Sequence, residues 1–212
     1  MSPVALERLP GVIGHELRNP LASALTGVML ARDMVDDDDP RAAVLDGVLR
    51  DLDRTTALLD GWLQLARADR ARRTPVAVDE LLATVAARHG AEVLVACPAA
   101  RVLGDRNLLE RALDNLCENA RKAGARSIRF AAQTLGDEVT LHVEDDGAGV
   151  PADRVERVFE AGYSANGGAG LGLYAVQATA TAHGGRVRCV PLSRGTRFSL
   201  TLPLLAERAA LA

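Results

Sequence analysis

Residues His15 to Ser23 read "HELRNPLAS", which sets an imidazole beside a carboxylate and follows both with a proline. An unperturbed imidazole has a pKa of about 6.5, so at neutral pH one ring nitrogen keeps a lone pair for nucleophilic attack. Glu16 can hold the proton on the other nitrogen and stabilise the positive charge that develops on the ring. Pro20 lacks the N–H that would bond the Glu16 carbonyl, so a helix through this stretch is expected to bend just below the histidine.

Three other stretches carry chemistry of a different kind. "EDDGAGV" (Glu144 to Val150) follows an apolar run, and "GGAGLGL" (Gly167 to Leu173) leads into a helical pattern. Glycines at such junctions let backbone N–H groups approach a phosphate chain, and a helix N-terminus adds favourable partial charge. Neither loop has the Gly-x-x-x-x-Gly-Lys-Ser/Thr spacing, and the pattern does not continue as a dinucleotide fold would. Asp145 ends its apolar run as a hydrogen-bond acceptor, the complement of an amine such as that of adenine; a turn-forming aspartate is the plainer alternative. In "LERALDNLCENARKA", Leu109, Ala112, Leu113, Leu116 and Ala120 form a buried stripe after an Asp105 N-cap, and Asn115, Asn119 and Lys122 gather on its flank. Amide oxygens suit Mg²⁺ and an ammonium suits phosphate oxygens; a solvated polar flank is the competing explanation.

Two kinds of element must position these residues. Apolar positions from Leu6 to Val35 and from Leu45 to Ala66 repeat with a helical period on either side of the turn signal "DDDDP", which predicts an antiparallel helical hairpin. One hairpin covers little of its own apolar stripe, so pairing of two hairpins in a homodimeric four-helix bundle is expected. After "RRTP" short β-type runs appear at Val76 to Val78, Ala91 to Ala96, Arg126 to Gln133, Val139 to Val143, Arg186 to Val190 and Arg197 to Leu202. They alternate with helical stretches near Asp79 to Arg88, Asp105 to Lys122 and Leu171 to Ala182. The expected class is α+β, with a helical domain over residues 1–73 and an α/β sandwich over 74–212.

Composition narrows the partners. With 212 residues, a formal net charge of −3 and scattered arginines, nothing marks a nucleic-acid binder. No apolar run reaches a membrane span and no export signal opens the chain, so a cytoplasmic protein without a membrane segment is expected. Cys97, Cys117 and Cys189 are far apart and form no Cys-x-x-Cys pair, which points to buried thiols rather than a disulfide framework or zinc site. His89, His142 and His183 lack a ligand cluster and read as structural or solvated.

Taken in order, "HELRNPLAS", "NLCENARKA", "DDGAGV", "RVFE" and "GGAGLGL" resemble the H, N, G1, F and G2 boxes of the sensor histidine kinases of two-component signalling. The resemblance extends from about residue 5 to 203 and is carried by the order of the motifs more than by any one of them. It implies a dimerisation and phosphoacceptor hairpin followed by an ATP-binding domain. His15 would be the phosphorylated residue, Glu16 its base, and Asn19, one turn on, would help orient a hydrolytic water. Asn119 and Asn115 would hold Mg²⁺, and Lys122 would meet the phosphates of ATP. Asp145 would recognise the adenine amine, Gly147 and Gly149 would make room for the nucleotide, and Gly168, Gly170 and Gly172 would wrap the phosphates. Phe159 would anchor the lid, and Thr196, in "GTRFSLTLP", would lie near the base.

The implied function is autophosphorylation of His15 and transfer of the phosphoryl group to an aspartate on the receiver domain of a response regulator, with dephosphorylation of that partner as a second activity. Two departures from the family pattern stand out: Ala123 occupies a place where relatives often carry an aromatic residue, and only "EAGYSANG" separates Phe159 from Gly168. They keep open a histidine phosphotransfer protein with a nonfunctional ATP domain. An ATPase or serine kinase, with "HELRNP" an incidental helix, is a further rival.

Overall fold

The aspartate run before Pro40 is where the chain first reverses. In the computed structural model, which describes residues 3–68, 73–95, 97–163 and 170–206, α1 (Pro3–Asp33) and α2 (Pro40–Ala68) pack as the expected hairpin. Asp39 accepts the Arg41 N–H at 2.8 Å and so caps α2, with Pro40 in the first turn, where no N–H is required. Arg32 of α1 bonds Asp46 of α2 at 2.9 Å and Asp37 of the turn. The four aspartates are therefore a cap and a clasp as well as a solvated loop. Side chains are described for residues 16, 17, 19–56, 59, 73–94, 97–163 and 170–206; His15 and the expected stripe positions from Leu6 to Ile13 and beyond Thr56, Leu59 excepted, lie outside them.

Within the described part of the hairpin only Ala42 is fully buried. Leu21, Val28, Leu45, Leu49 and Leu52 are half-covered, whereas Leu17, Met29, Leu30, Val44 and Val48 are exposed. Leu17 and Val48 both lie on the expected apolar stripes, and their exposure shows that the apolar face is wider than one partner helix can cover. The helix runs on through Pro20.

A five-stranded sheet in the order β2-β4-β5-β7-β6 supports the second half. Its strands are β2 (Glu92–Val95), β4 (Ile128–Leu135), β5 (Glu138–Asp145), β6 (Arg186–Pro191) and β7 (Thr196–Pro203). All neighbours are antiparallel except β2 and β4. A two-stranded ribbon pairs β1 (Thr74–Ala77) with β3 (Arg101–Gly104). The β3 strand was not expected from sequence: it has four residues, of which only Val102 and Gly104 are buried, too short a run for a period to register.

Strict alternation along β5 turns Val139, Leu141 and Val143 inward, where they meet Phe130, Leu200 and Leu202 beneath α3 (Val78–His89), α4 (Arg106–Lys122) and α5 (Gly172–Ala182). The other sheet face carries polar residues, including a His142 Nδ1–Ser199 Oγ contact of 2.9 Å and an Arg197–Glu144 pair of 2.6 Å. Cys117 and Cys189 are buried and Cys97 is half-buried, all three as free thiols; burial pushes the Cys117 pKa up to about 12.

His183, just past α5, has 6 % exposure and is held on both sides of its ring. Its Nδ1 lies 2.7 Å from the Thr179 carbonyl, and its Nε2 accepts the Asp105 N–H at 3.0 Å. The first contact needs a ring N–H and the second a lone pair, so the neutral Nδ1–H tautomer is the one that fits. Burial, more than any charge, pulls its pKa below the ordinary histidine value. At pH below about 6.5 the unfolded chain takes up a proton that the fold resists, so stability is full above that pH and is lost as pH falls towards the lowered folded pKa. His142, also lowered by burial, adds in the same direction. We expect thermal melts to show a smaller loss of melting temperature on acidification in His183→Gln than in the wild-type chain; equal losses would refute the assignment.

Candidate nucleotide site

The azimuth of α4 is set by burial. Leu108, Leu109, Ala112, Leu113, Leu116, Cys117 and Ala120 all face the core, and Asp105 caps the helix by accepting the Asn107 and Leu108 N–H groups at 3.0 and 3.3 Å. Both features follow the sequence pattern. With that face inward, Asn115 and Asn119 lie on the flank that meets the start of α5. Asn115 Nδ2 stands 3.4 Å from the Gly172 carbonyl. A Cβ added at Gly172 would come within 3.8 Å of Asn119 Nδ2 and 3.9 Å of the Asn115 carboxamide carbon. The two amides and the beginning of α5 thus form one corner.

Among the described residues, Asn119 Nδ2 is buried without a hydrogen-bond partner. An amide left so costs about 1–3 kcal/mol unless something completes it. Nitrogen and oxygen of an amide interchange by a half-turn of the side chain. The corner can therefore present a carbonyl oxygen, a donor suited to a hard divalent cation, beside a helix N-terminus suited to phosphate. Mg²⁺ with a phosphate chain fits this donor set.

Lys122 is not brought into the corner. Its side chain is exposed, and its ammonium stands 4.0 Å from Glu118 on its own helix. A helical period places it on the correct side of α4 but not at the correct depth.

The acidic loop closes the other side. Asp145 ends β5 with only 7 % exposure, and its Oδ1 accepts the Gly147 N–H at 2.8 Å. Burial raises its pKa, opposed by backbone N–H donation from Gly147 and Thr196. Two backbone donors leave a carboxylate with unused lone pairs, so Asp145 can still accept from an amine. Thr196, buried at the start of β7, donates its backbone N–H to that carboxylate. The neighbouring Asp146 ties down the backbone instead. It accepts the Arg126 and Ser127 N–H groups at 2.7 and 2.9 Å, which hold its pKa below the ordinary carboxylate value.

Gly147 lies so close to α4 that a Cβ would fall 2.9 Å from the Ala123 carbonyl and 3.0 Å from Asp145 Oδ1. Ala148 donates to that same carbonyl at 2.9 Å, which ties the loop to the end of the helix bearing the amides. Gly149 has φ +78° and faces the Gly195 carbonyl. An open cleft of about 300 Å³ lies between Gly147–Pro151 and Leu192–Gly195. The α4 amides do not line it.

Phe159 is buried against Phe198 of β7, edge to face at 6.3 Å, a geometry the ring quadrupoles favour. Gly162 N–H bonds the Gly170 carbonyl at 3.1 Å, and Gly170, at φ +67°, passes so close to Gly162 and Tyr163 that a Cβ would overlap their backbone. This holds Gly162 and Tyr163 against Gly170. Tyr163 is half-buried, its ring beneath the Arg157 guanidinium at 5.2 Å. Gly168 lies outside the described residues.

Sequence reasoning missed Gly195, whose Cβ would collide with the Asp145 carbonyl, and Cys189, whose thiol pKa is pushed up to about 11 by burial and by the Asp145 charge. The Gly-Thr pair that opens β7 was the available signal for the first. Nothing local marked the second.

Two families match this chain: residues 5–71 match the His Kinase A (phospho-acceptor) domain, and residues 104–206 match the Histidine kinase-, DNA gyrase B-, and HSP90-like ATPase. Sensor protein RstB of Escherichia coli (strain K12) is 32% identical over 211 residues, covering 91% of this chain and 47% of RstB. Sensor-like histidine kinase SenX3 of Mycobacterium tuberculosis (strain ATCC 25618 / H37Rv) is 32% identical over 219 residues, covering 92% of this chain and 53% of SenX3. The chain therefore spans about half the length of these curated relatives. Full-length ShkA, solved in complex with AMPPNP, superposes with a TM-score of 0.65 at 28% identity, over 95% of this chain and 47% of that one. With both halves matched in order, the chain belongs to the sensor histidine kinases of two-component signalling.

Proposed function

We propose that this chain is the catalytic core of an ATP-dependent protein histidine kinase that phosphorylates itself on His15 and passes the group to an aspartate on a response regulator receiver domain. The observation that carries the reading is the corner where Asn115 and the unpartnered Asn119 amide meet Gly172, in a chain whose other half is a helical hairpin bearing His15 and Glu16. Residues 1–73 form the phosphoacceptor unit and 74–212 the ATP-binding unit. The exposed Leu17, Met29, Leu30, Val44 and Val48 support a homodimer in which a second hairpin covers them. Among the described residues no helix is long and apolar enough to cross a membrane, in keeping with a cytoplasmic site of action.

In the reaction a lone pair on the His15 ring attacks the γ-phosphorus of ATP, the bond to the bridging oxygen breaks, and ADP departs with that electron pair. Glu16 takes the proton from the other ring nitrogen, leaving an uncharged ring that bears the anionic phosphoryl group, a phosphoramidate reactive enough to be handed on. Asn115 and Asn119 would hold Mg²⁺, which supplies charge neutralisation on the phosphate oxygens when bound. The N–H groups at the start of α5 and the Gly168–Gly172 segment favour the phosphate chain, with Lys122 turning inward to join them. Asp145 accepts from the adenine amine, Gly147 and Gly149 leave the base its space, Thr196 borders it, and Phe159 anchors the lid on Phe198.

Incubation with Mg²⁺ and γ-labelled ATP should give an acid-labile label on the wild-type chain and none on His15→Ala; label retained by the variant, or absent from a wild type that binds nucleotide, would overturn the reading. An ionised Asp145 accepts an amine hydrogen more strongly than a protonated one, and burial has raised its pKa. Nucleotide affinity should therefore weaken as pH falls towards that raised pKa, and the dependence should flatten in Asp145→Asn. Fluorescent-nucleotide titrations at several pH values would show whether the two profiles differ. Asn19 and Pro20 are both exposed on α1. Asn19→Ala should slow dephosphorylation of a phosphorylated receiver, and Pro20→Ala should alter the ratio of kinase to phosphatase activity if the proline bend governs that switch; unchanged rates in a receiver assay would remove both roles.

A further inference from the structure

The α4 and α5 helices run antiparallel, touching near Gly172 at one end and near His183 at the other. At the first end Asn115 meets the Gly172 carbonyl. At the second, the His183 Nε2 accepts the N–H of Asp105, the residue that caps α4. Leu173 packs against the core beside the corner, and the α5 residues buried along the rest of the helix are Ala175, Val176, Thr179 and Ala180. Side chains this small offer shallow ridges, so packing alone specifies the sliding and rotation of α5 weakly. Directed hydrogen bonds at the ends add to the packing of α5 on α2, α4 and β6 in fixing it.

The imidazole is well placed to do so. Nδ1 bonds back to Thr179 on its own helix at 2.7 Å, which orients the ring, and the ring edge lies so near Gly104 that a Cβ there would stand 2.6 Å from His183 Cδ2. The chain leaving the hairpin is fastened at the same point, because Arg73 donates to the Ala182 carbonyl at 2.5 Å. One junction therefore joins the last turn of α5, the cap of α4 and the segment arriving from α2.

We infer that His183 is a positioning residue for the nucleotide site: through its bond to the Asp105 N–H it sets the register of α5 on α4, and so places Gly172 opposite Asn115 and Asn119. This rests on the nucleotide reading proposed above. It goes beyond it in giving a function to a side chain about 16 Å, the length of an eleven-residue helix, from the corner it serves.

Two substitutions separate its bonds. His183→Asn keeps a donor within reach of Thr179 but withdraws the acceptor from Asp105, whereas His183→Gln can reach Asp105 with its carbonyl oxygen. Leu200→Ala, a cavity in the sheet core, serves as a control for general destabilisation. Binding of Mg²⁺–AMPPNP would be measured by calorimetry well below the melting transition of the least stable variant. His183→Asn should weaken binding about tenfold, as expected for one lost buried bond, and His183→Gln should recover most of that loss. In the Asn115→Ala background, His183→Asn should add little, because both act on one contact.

Undiminished binding in His183→Asn, an equal loss in Leu200→Ala, no rescue by glutamine, or losses that multiply with Asn115→Ala would each overturn the assignment while leaving nucleotide binding by the wild type intact. So would a His183→Asn chain that fails to fold, since the bond would then serve global stability. A wild-type chain that does not bind Mg²⁺–AMPPNP would overturn the nucleotide reading and this assignment with it.

Discussion

The structure depends on how α4 is rotated about its own axis. Seven apolar residues sink into the core beneath it, and each buried large side chain is worth about 1.5–3 kcal/mol. A turn of one residue, about 100°, would lift several of them into water. That cost fixes the direction in which Asn115 and Asn119 project far more firmly than any bond the amides make. A polar corner with an incomplete amide can persist here because the apolar face beside it leaves the helix no choice.

The acidic loop solves the opposite problem, holding a charge in a place that resists it. Burial raises the Asp145 pKa, and the Gly147 and Thr196 N–H groups draw it back. Those donors are available only because Gly147 and Gly195 carry no Cβ: a methyl at the first would press on the Ala123 carbonyl, and one at the second would collide with Asp145 itself. The glycines of this loop are thus as much about backbone packing as about room for a ligand. The Ala148 bond to Ala123 fastens the loop to the end of the amide-bearing helix.

The hairpin is built on another balance. One fully buried residue among those described is little return for ordering two long helices, given that each residue costs roughly 1–2 kcal/mol of backbone entropy. The Arg32 clasp and the Asp39 cap order the turn, and the exposed apolar side chains require further cover. The nucleotide-binding half, with its continuous core from Val76 to Leu202, has no such need.

Much of this was legible in the residues. The helical and strand periods located both hairpin helices, α3 to α5 and, among the described residues, every strand but β3, because those elements bury one face and alternate or repeat accordingly. The α4 stripe, its Asp105 cap and the flank bearing Asn115 and Asn119 could be read because a helix of known period turns sequence spacing into angle. What the chain alone could not decide was who stands opposite. That β3 pairs with β1, that Gly195 crowds Asp145, and that His183 reaches Asp105 all involve partners outside the local repeat. Spacing along the chain determines the face a side chain occupies; only the packing of distant segments decides what that face meets, and the chemistry of the site belongs to those meetings.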